Sequence, residues 1–311
     1  MKIFIELPTW LGDTVMATPA IENLANFQDE VEITLIGSFI SIEALKNHQK
    51  VVKTVILDKR YSSLVKQSRE LGNFDAFFTF RGSFRSKFLK LLISAQNKHQ
   101  FNKNRYKNRH QVEKYNDYVN ESLNTNFPAG KLVLHSSSKY LAQHSKLVLG
   151  LNSGASYGSA KRWYPEEFSK VAAELSTVYD IIIFGGLDEI DIAEDIEQSL
   201  IEKGITNYQN LAGKTSITEL INQISVLDLF ITGDSGPMHV AAAFKVPTIA
   251  IFGPTKDDET SQWMNDNSII VKRNLDCQPC MLRTCPLQHH NCMKQIKAGD
   301  VLKEAKSLIN T

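Results

Sequence analysis

The sequence lacks any apolar run of the roughly 18 residues that a membrane-spanning helix needs. Its first residues, MKIFIE, are followed by Pro8 and lack the apolar core of a secretion signal, so we expect a cytoplasmic protein. Cysteine is scarce, and all four cysteines fall within residues 277–292, which excludes a fold-wide disulfide framework. A net charge of only +1, with 22% charged and 42% hydrophobic residues, excludes a disordered or fibrous chain.

The chain is long enough for two domains. At about 150 residues per domain, 311 residues predict an N-terminal domain over 1–145 and a C-terminal domain over 146–311, with a linker near 135–146. Short β-rich runs alternate with helical patterns in both halves; examples are a strand at 2–7, a helix at 14–27, strands at 146–151 and 227–232 and a helix at 238–244. This alternation predicts α/β architecture: two doubly wound parallel-sheet domains facing each other across a cleft. Ligands of such sheets bind beyond the carboxyl ends of the strands.

The near-neutral total charge hides a basic block. Residues 81–114 contain ten Lys and Arg against one acid, Glu113, so this window carries a charge of +9. Aromatic residues are interleaved with the basic ones, and the window itself offers little to neutralise them. We expect the block to bind a polyanion, such as a nucleic acid, a lipid headgroup or a phosphorylated glycan, rather than to be only a solvated loop.

A first candidate site follows the first predicted strand. Gly12 allows a tight turn, and Asp13 then stands near a helix start. Spacing alone favours a capping role for Asp13, whereas the functional alternative is a general base.

Two further candidates follow strands of the second half. Residues 152–163 combine small residues, Ser153, Gly154 and Ser156, with Lys161, which is typical of a generic phosphate-binding loop, although neither P-loop nor dinucleotide-binding spacing is present. Residues 233–236, Gly-Asp-Ser-Gly, precede a small-residue helix and predict a pyrophosphate cradle, with His239 one turn further on. The alternative is that Asp234 and Ser235 cap that helix while His239 packs between domains.

The cysteines are spaced C-x2-C-x4-C-x6-C, at Cys277, Cys280, Cys285 and Cys292. A structural zinc site, metal-free thiols and disulfides are all compatible with this spacing, and an iron–sulfur cluster is a minor alternative. We expect no catalytic role here, because the segment follows the last predicted strand.

Taken together, these segments resemble the ADP-heptose:lipopolysaccharide heptosyltransferases of glycosyltransferase family 9, and most closely the heptosyltransferase II type. The resemblance spans nearly the whole chain, and it is carried by the segments GDTVMATPAI (12–21), GA (154–155) with KRW (161–163), GDSGPMH (233–239), FGPT (252–255) and the cysteine-rich tail. In this chain Tyr164 separates Trp163 from Pro165, where family members often read Lys-Arg-Trp-Pro.

The resemblance implies a GT-B fold and an inverting, metal-independent transfer of heptose from ADP-heptose to the inner core of lipopolysaccharide or lipooligosaccharide. It assigns the general base to Asp13 and donor-phosphate binding to Lys161. The remaining donor-binding positions would be Ser153, Gly154, Ser156, Asp188, Thr215, Ser216, Asp234, Ser235, Gly236 and His239. Acceptor-binding positions would be Thr9, Trp10, Gly12, Arg81, Arg85 and Lys87.

The resemblance also implies the partners. The acceptor would be a phosphorylated Kdo–lipid A inner core, and the basic block would hold the enzyme at the anionic cytoplasmic face of the inner membrane. One alternative is a family 9 transferase with another nucleotide sugar, such as an N-acetylhexosamine donor. A different class, a nucleic-acid-binding protein with a metal site, is disfavoured because none of the usual nucleic-acid-binding motifs is present.

Overall fold

The computed structural model describes residues 1–58, 60–136, 146–154 and 157–309. The chain forms two compact units, Met1–His135 and Ser136–Thr311. Most of the linker predicted at 135–146 lies outside the described residues.

The N-terminal unit is built on a five-stranded parallel sheet of order β3-β2-β1-β4-β5. Its strands are β1 (Lys2–Glu6), β2 (Glu32–Gly37), β3 (Val51–Ile56), β4 (Asn73–Thr79) and β5 (Ser94–Gln100). The helices between and after them are α1 (Leu11–Met16), α2 (Thr18–Ala25), α3 (Phe39–Leu45), α4 (Tyr61–Glu70), α5 (Phe84–Leu92) and α6 (Gln111–Leu123). Phe4 on β1 is fully buried and stacks on Phe74 and Phe77 of β4, which places the core against the central strands.

One helix predicted at 14–27 is two helices in the structure, which is a correction. Pro19 has no N–H with which to bond the carbonyl of Val15, and the hydroxyl of Thr18 donates to that carbonyl instead, at 2.7 Å. The helix therefore ends at Met16, and α2 starts at Thr18.

The C-terminal unit is built on a six-stranded parallel sheet of order β11-β10-β9-β6-β7-β8. Its strands are β6 (Leu147–Asn152), β7 (Tyr179–Phe184), β8 (Tyr208–Asn210), β9 (Leu229–Gly233), β10 (Thr248–Ile251) and β11 (Ser268–Val271). The helices are α7 (Pro165–Leu175), α8 (Ile190–Glu202), α9 (Ile217–Ile224), α10 (Gly236–Ala243), α11 (Asp257–Thr260), α12 (Asn291–Lys294) and α13 (Ala298–Ile309), with short 3₁₀ turns at Ser159–Lys161 and Leu187–Glu189.

The central strands of this sheet are apolar along nearly their whole length, as expected for parallel strands covered on both faces. Their side chains share one core with Trp163, with Phe168 on α7 and with Val301 on α13. All pairings are parallel, so the loops after β6, β7, β9 and β10 leave the sheet at the same edge. Among the described residues no helix is long and apolar enough to cross a membrane.

Gly150, in the middle of β6, provides a test of this packing. A Cβ atom there would lie 2.5 Å from Leu227 Cδ1 and 2.7 Å from Phe230 Cδ2. We expect Gly150→Ala to lower the free energy of unfolding by about 1–3 kcal/mol, measured by urea denaturation of the full chain. Gly299→Ala is the matched control, since nothing lies within 4 Å of a Cβ on that helical glycine. Equal stability of the Gly150 variant and wild type would contradict this account of the core.

Candidate active site

A largely buried ion pair lies at the carboxyl edge of the C-terminal sheet. Lys161 Nζ lies 2.5 Å from Asp234 Oδ2 and also donates to the Asp234 carbonyl oxygen at 3.2 Å. Lys161 comes from the loop after β6 and Asp234 from the turn after β9, and these strands are neighbours in the sheet. The structure thus brings together two residues predicted from separate sequence segments.

Thr255 completes the surroundings of the Asp234 carboxylate. Its hydroxyl donates to Asp234 Oδ2 at 2.6 Å, and both side chains are largely buried. Thr255 follows β10, so a third strand end contributes to the site. The segment FGPT (252–255) carries part of the family resemblance, but Thr255 was not predicted as a site residue. Its position directly after a buried strand is the feature of the sequence that could have indicated it.

Asn152 connects the same strand ends from the other side, and it was also missed. Its amide lies at the end of β6 and donates to the hydroxyls of Ser235, at 3.1 Å, and Thr232, at 3.3 Å. The side chain is 3% exposed, so this network fixes the turn after β9 rather than a surface loop.

The turn after β9 leads directly into α10. Ser235 occupies the N-cap position but makes no side-chain capping hydrogen bond, and Gly236 begins the helix. The Asp234 carboxylate is held by Lys161 and Thr255. The capping alternative for these two side chains is therefore not what the structure shows. Pro237 has no N–H and Met238 N donates to the Ser235 carbonyl oxygen at 3.2 Å, so among the first three residues of α10 it is Gly236 whose N–H can face an anion. His239 is buried one turn into α10.

The loop after β6 carries an unsatisfied hydroxyl and a closely approached glycine. Ser153 is 3% exposed, and its Oγ has no hydrogen-bond partner among the described residues. A Cβ at Gly154 would fall 1.9 Å from Glu189 Cδ, so only glycine fits beside that carboxylate.

Glu189 was not predicted as a site residue, and its carboxylate accepts a hydrogen bond from Gly186 N at 2.7 Å. Its neighbour Asp188, which was predicted as a donor-binding residue, is exposed. Ser156 lies outside the described residues.

The predicted adenosine contacts, Thr215 and Ser216, precede α9. The Ser216 hydroxyl accepts from Glu219 N at 3.2 Å, and Glu219 Oε2 accepts from Ser216 N at 2.7 Å. This reciprocal pair is a capping box, so the Ser216 side chain stabilises the start of α9. A contact of Thr215 or Ser216 with a nucleotide stays a prediction.

In the N-terminal unit, Asp13 stands in the first turn of α1 and is partly exposed. The N-cap position belongs to Trp10, so Asp13 is not the capping residue that spacing alone favoured. Burial raises the pKa of Tyr115 well above its usual value, and the negative charge of Asp13 raises it further. The Asp13 carboxylate is therefore close to a buried phenol. Trp10 is 53% exposed, Thr9 is partly exposed and Gly12 is buried.

A buried carboxylate holds the start of the basic block. Glu6, at the end of β1, accepts hydrogen bonds from Thr79 at 2.6 Å and Ser86 at 2.9 Å, and Arg81 Nη1 lies 3.5 Å away. Arg85 donates to the Asp58 carbonyl oxygen and lies over the Tyr61 ring. Arg81 and Arg85 are therefore partly used in fixing the carboxyl edge of the N-terminal sheet.

Two arginines in the second half of the basic block are paired with carboxylates, so the expectation that nearby acids are missing was wrong. Arg109 pairs with Glu113 at 3.1 Å and with Asp117 at 2.5 Å, and Arg105 pairs with Glu121 at 3.0 Å. Two of these acids lie beyond the window that was counted, and the four-residue spacing places all three on one face of α6.

The N-terminal unit also has a groove at the carboxyl ends of β4 and β5, with a volume of about 720 Å³. Lys87, which is exposed, and Lys103 line it together with Ser83, Gln100 and Asn102. This groove combines positive charge with hydroxyl and amide donors, which suits a phosphate or carboxylate.

The four cysteines are free thiols. Burial, followed by the neighbouring thiols of Cys285, Cys277 and Cys280, raises the pKa of Cys292 to about 11. Among the described residues no group of three or more His, Cys, Asp and Glu side chains is arranged to hold a metal. A structural zinc at the four cysteines is therefore not shown, and no chemistry is derived from one.

The cysteine-rich segment, residues 277–292, packs on the loops after β6 and β10. Ala160 N donates to the Arg283 carbonyl oxygen at 3.0 Å, and His290 Nε2 lies 2.9 Å from the Ala160 carbonyl oxygen. Met281 N donates to the Pro254 carbonyl oxygen at 2.9 Å. This segment therefore borders both the Lys161 loop and the loop after β10, and the expectation that it has no catalytic role stays a prediction.

Two parallel-sheet α/β domains, one with an anion-binding edge, are the features of a GT-B glycosyltransferase. The glycosyltransferase family 9 (heptosyltransferase) model matches residues 64–291. Lipooligosaccharide heptosyltransferase 2 of Campylobacter jejuni (serotype O:2) is 44% identical, over 99% of this chain and 98% of the relative. The chain belongs to glycosyltransferase family 9, and the resemblance in its motifs is thereby confirmed.

Solved structures confirm the predicted GT-B fold. The ADP-heptose lps heptosyltransferase II of Escherichia coli has a TM-score of 0.81 at 21% identity, covering 99% of this chain and 98% of that one. The E. coli heptosyltransferase WaaC, solved with ADP, has a TM-score of 0.77 at 16% identity, covering 99% and 100%.

Glu6 gives a pH-dependent prediction. Burial raises the pKa of Glu6 above its ordinary value of 4.5, so the folded chain holds this proton more tightly than the unfolded chain. The resulting stabilisation is fully present below the ordinary glutamate pKa and is lost as pH rises through the raised one. Glu6→Gln keeps the carbonyl acceptor and removes the charge. We expect urea unfolding from about pH 4 to about pH 8 to show a smaller loss of stability in the variant than in wild type. Parallel pH profiles would contradict the assignment.

Proposed function

We propose that this chain is an inverting glycosyltransferase that moves heptose from ADP-heptose to the inner-core heptose/Kdo region of lipopolysaccharide or lipooligosaccharide. The observation that carries the proposal is the site built from Lys161, Asp234 and Thr255 at the mouth of α10. Membership of family 9 and the 44% identity to a named heptosyltransferase support the choice of donor and acceptor.

The donor diphosphate has a defined place in this proposal. The Lys161 ammonium has three N–H donors, and two are directed to Asp234, at 2.5 Å and 3.2 Å, so one is left for a phosphate oxygen. The Gly236 N–H at the start of α10 and the Ser153 hydroxyl, which has no hydrogen-bond partner among the described residues, supply further donors. Ser156, Asp188, Thr215, Ser216, Ser235, Gly236 and His239 remain proposed donor contacts. The structure of WaaC with ADP supports nucleotide binding on this fold.

The chemical step is a single displacement. Asp13 takes the proton of the acceptor hydroxyl, whose oxygen attacks the anomeric carbon of heptose. The bond from that carbon to the phosphate oxygen breaks, and the configuration inverts. The departing ADP takes the electron pair, and Lys161 with the start of α10 stabilises the charge that develops on it. The reaction as written needs no metal or redox cofactor.

The N-terminal unit would bind the acceptor. The groove lined by Lys87 and Lys103 supplies positive charge that is not paired to carboxylates among the described residues, and Arg81 and Arg85 border it in sequence. Thr9, Trp10 and Gly12 flank Asp13 on the same chain segment. The proposed acceptor is a phosphorylated Kdo–lipid A core, and attraction of exposed lysines to an anionic leaflet would hold the enzyme at the cytoplasmic membrane surface.

The proposal is tested by ADP release from ADP-heptose, with and without a mono-heptosylated Kdo–lipid A acceptor. We expect release that depends on acceptor and a loss of turnover of about 10²–10⁴-fold in Asp13→Asn, since the amide cannot accept the proton. ADP affinity of the variant, measured by calorimetry, should stay that of wild type.

The matched control is Asp29→Asn, the same chemical change at an exposed acid of the same unit. An equal loss of ADP binding and turnover in Asp13→Asn would mean that Asp13 is structural. Wild-type protein that binds ADP without any acceptor-dependent release would contradict the proposed transfer.

A further inference from the structure

The aromatic ring of Tyr157 is in contact with two cations. Lys161 Nζ is 4.7 Å from the ring centroid, and the Arg283 guanidinium carbon is 5.4 Å from it. The Tyr157 hydroxyl donates to the Met281 carbonyl oxygen at 2.6 Å. One side chain thus joins the Lys161 loop to the 277–292 segment and sets Lys161 and Arg283 against the same ring.

The backbone at this junction is closely packed. Gly158 has φ +154°, and a Cβ there would fall 2.4 Å from the Arg283 carbonyl oxygen. Ala160 N donates to that same oxygen at 3.0 Å. Arg283 is therefore held at its main chain by the loop that carries Lys161, while its side chain is exposed.

Charge balance shows what Arg283 can add. The Lys161 ammonium is paired with Asp234 at 2.5 Å, so the pair is neutral as a unit. A nucleoside diphosphate brings more than one negative charge to this edge. Within the part of the chain that the structure describes, no carboxylate lies within ion-pair distance of the Arg283 guanidinium, so its charge is available to a ligand.

We infer that Arg283, in the cysteine-rich segment, is a second cation for the donor diphosphate, and that Tyr157 is the positioning residue that sets it beside Lys161. This inference rests on the proposed nucleotide-diphosphate donor. It gives the 277–292 segment a role in the donor site that its thiols alone do not indicate.

The test is calorimetric binding of ADP and of AMP to the full chain. We expect Arg283→Ala to weaken ADP binding about fivefold to tenfold, as for loss of one accessible charged hydrogen bond. The affinity for AMP, which carries less negative charge than ADP, should fall by a smaller factor. Arg283→Lys should restore part of the ADP affinity, and the dependence of ADP affinity on salt should fall in Arg283→Ala, because one ion contact is gone.

Tyr157 has two informative variants. Tyr157→Phe keeps the ring that contacts both cations and loses the hydrogen bond to the Met281 carbonyl oxygen, whereas Tyr157→Leu loses both the ring and the hydrogen bond. We expect Tyr157→Leu to lose more affinity for ADP than for AMP, as Arg283→Ala does. The nucleotide affinities of Tyr157→Phe should stay closer to those of wild type. Lys303→Ala, an exposed cation on α13, is the charge-matched control.

Unchanged ADP affinity in Arg283→Ala would overturn the inference, and so would equal losses for ADP and AMP. Wild-type protein that binds neither nucleotide would overturn both the inference and the proposed function. Wild-type protein that binds ADP with the expected Arg283 effect, yet releases none from ADP-heptose, would contradict the proposed function and support the inference.

Discussion

The contact on which the proposed donor site depends is the largely buried ion pair between Lys161 and Asp234. Removing two charges from water is unfavourable unless their remaining hydrogen-bonding groups are satisfied. Here Thr255 donates to the carboxylate, and the Asp234 carbonyl oxygen accepts a second bond from the ammonium. These three residues come from the loops after β6, β9 and β10, so the pair fixes the relative positions of three strand ends. It also sets the direction of the one ammonium donor left for a ligand.

The fold could be predicted from the sequence to the extent that apolar runs marked the strands. β6 and β9 are buried and apolar, and both were predicted. β5 was not, because the sequence SAQNKHQ has no apolar run and forms an edge strand whose stability comes from pairing with β4. The break between α1 and α2 depends on Pro19 and on a hydrogen bond from Thr18, which periodicity does not register.

The candidate site was predictable where motifs follow strands. Lys161 and Asp234 were both named, yet that they pair follows only from the strand order, in which β6 neighbours β9. Thr255, Asn152 and Glu189 were missed because each acts through partners distant in sequence. The unpaired positive charge of the 81–114 window was overestimated, because two of the acids that pair with Arg105 and Arg109 lie outside the window, on α6. The 277–292 segment could not be placed from spacing, since its contacts with Ala160 and Pro254 are made by the backbone.

The most direct test of this account is ADP binding to Asp234→Asn, measured by calorimetry on protein shown to be folded by circular dichroism. Simple electrostatics predicts tighter binding of an anion once a negative charge is removed. The account predicts about tenfold weaker binding, because Lys161 loses the partner that orients it. Unchanged or tighter ADP binding in this variant would contradict the claim that the Lys161–Asp234 pair organises the donor site.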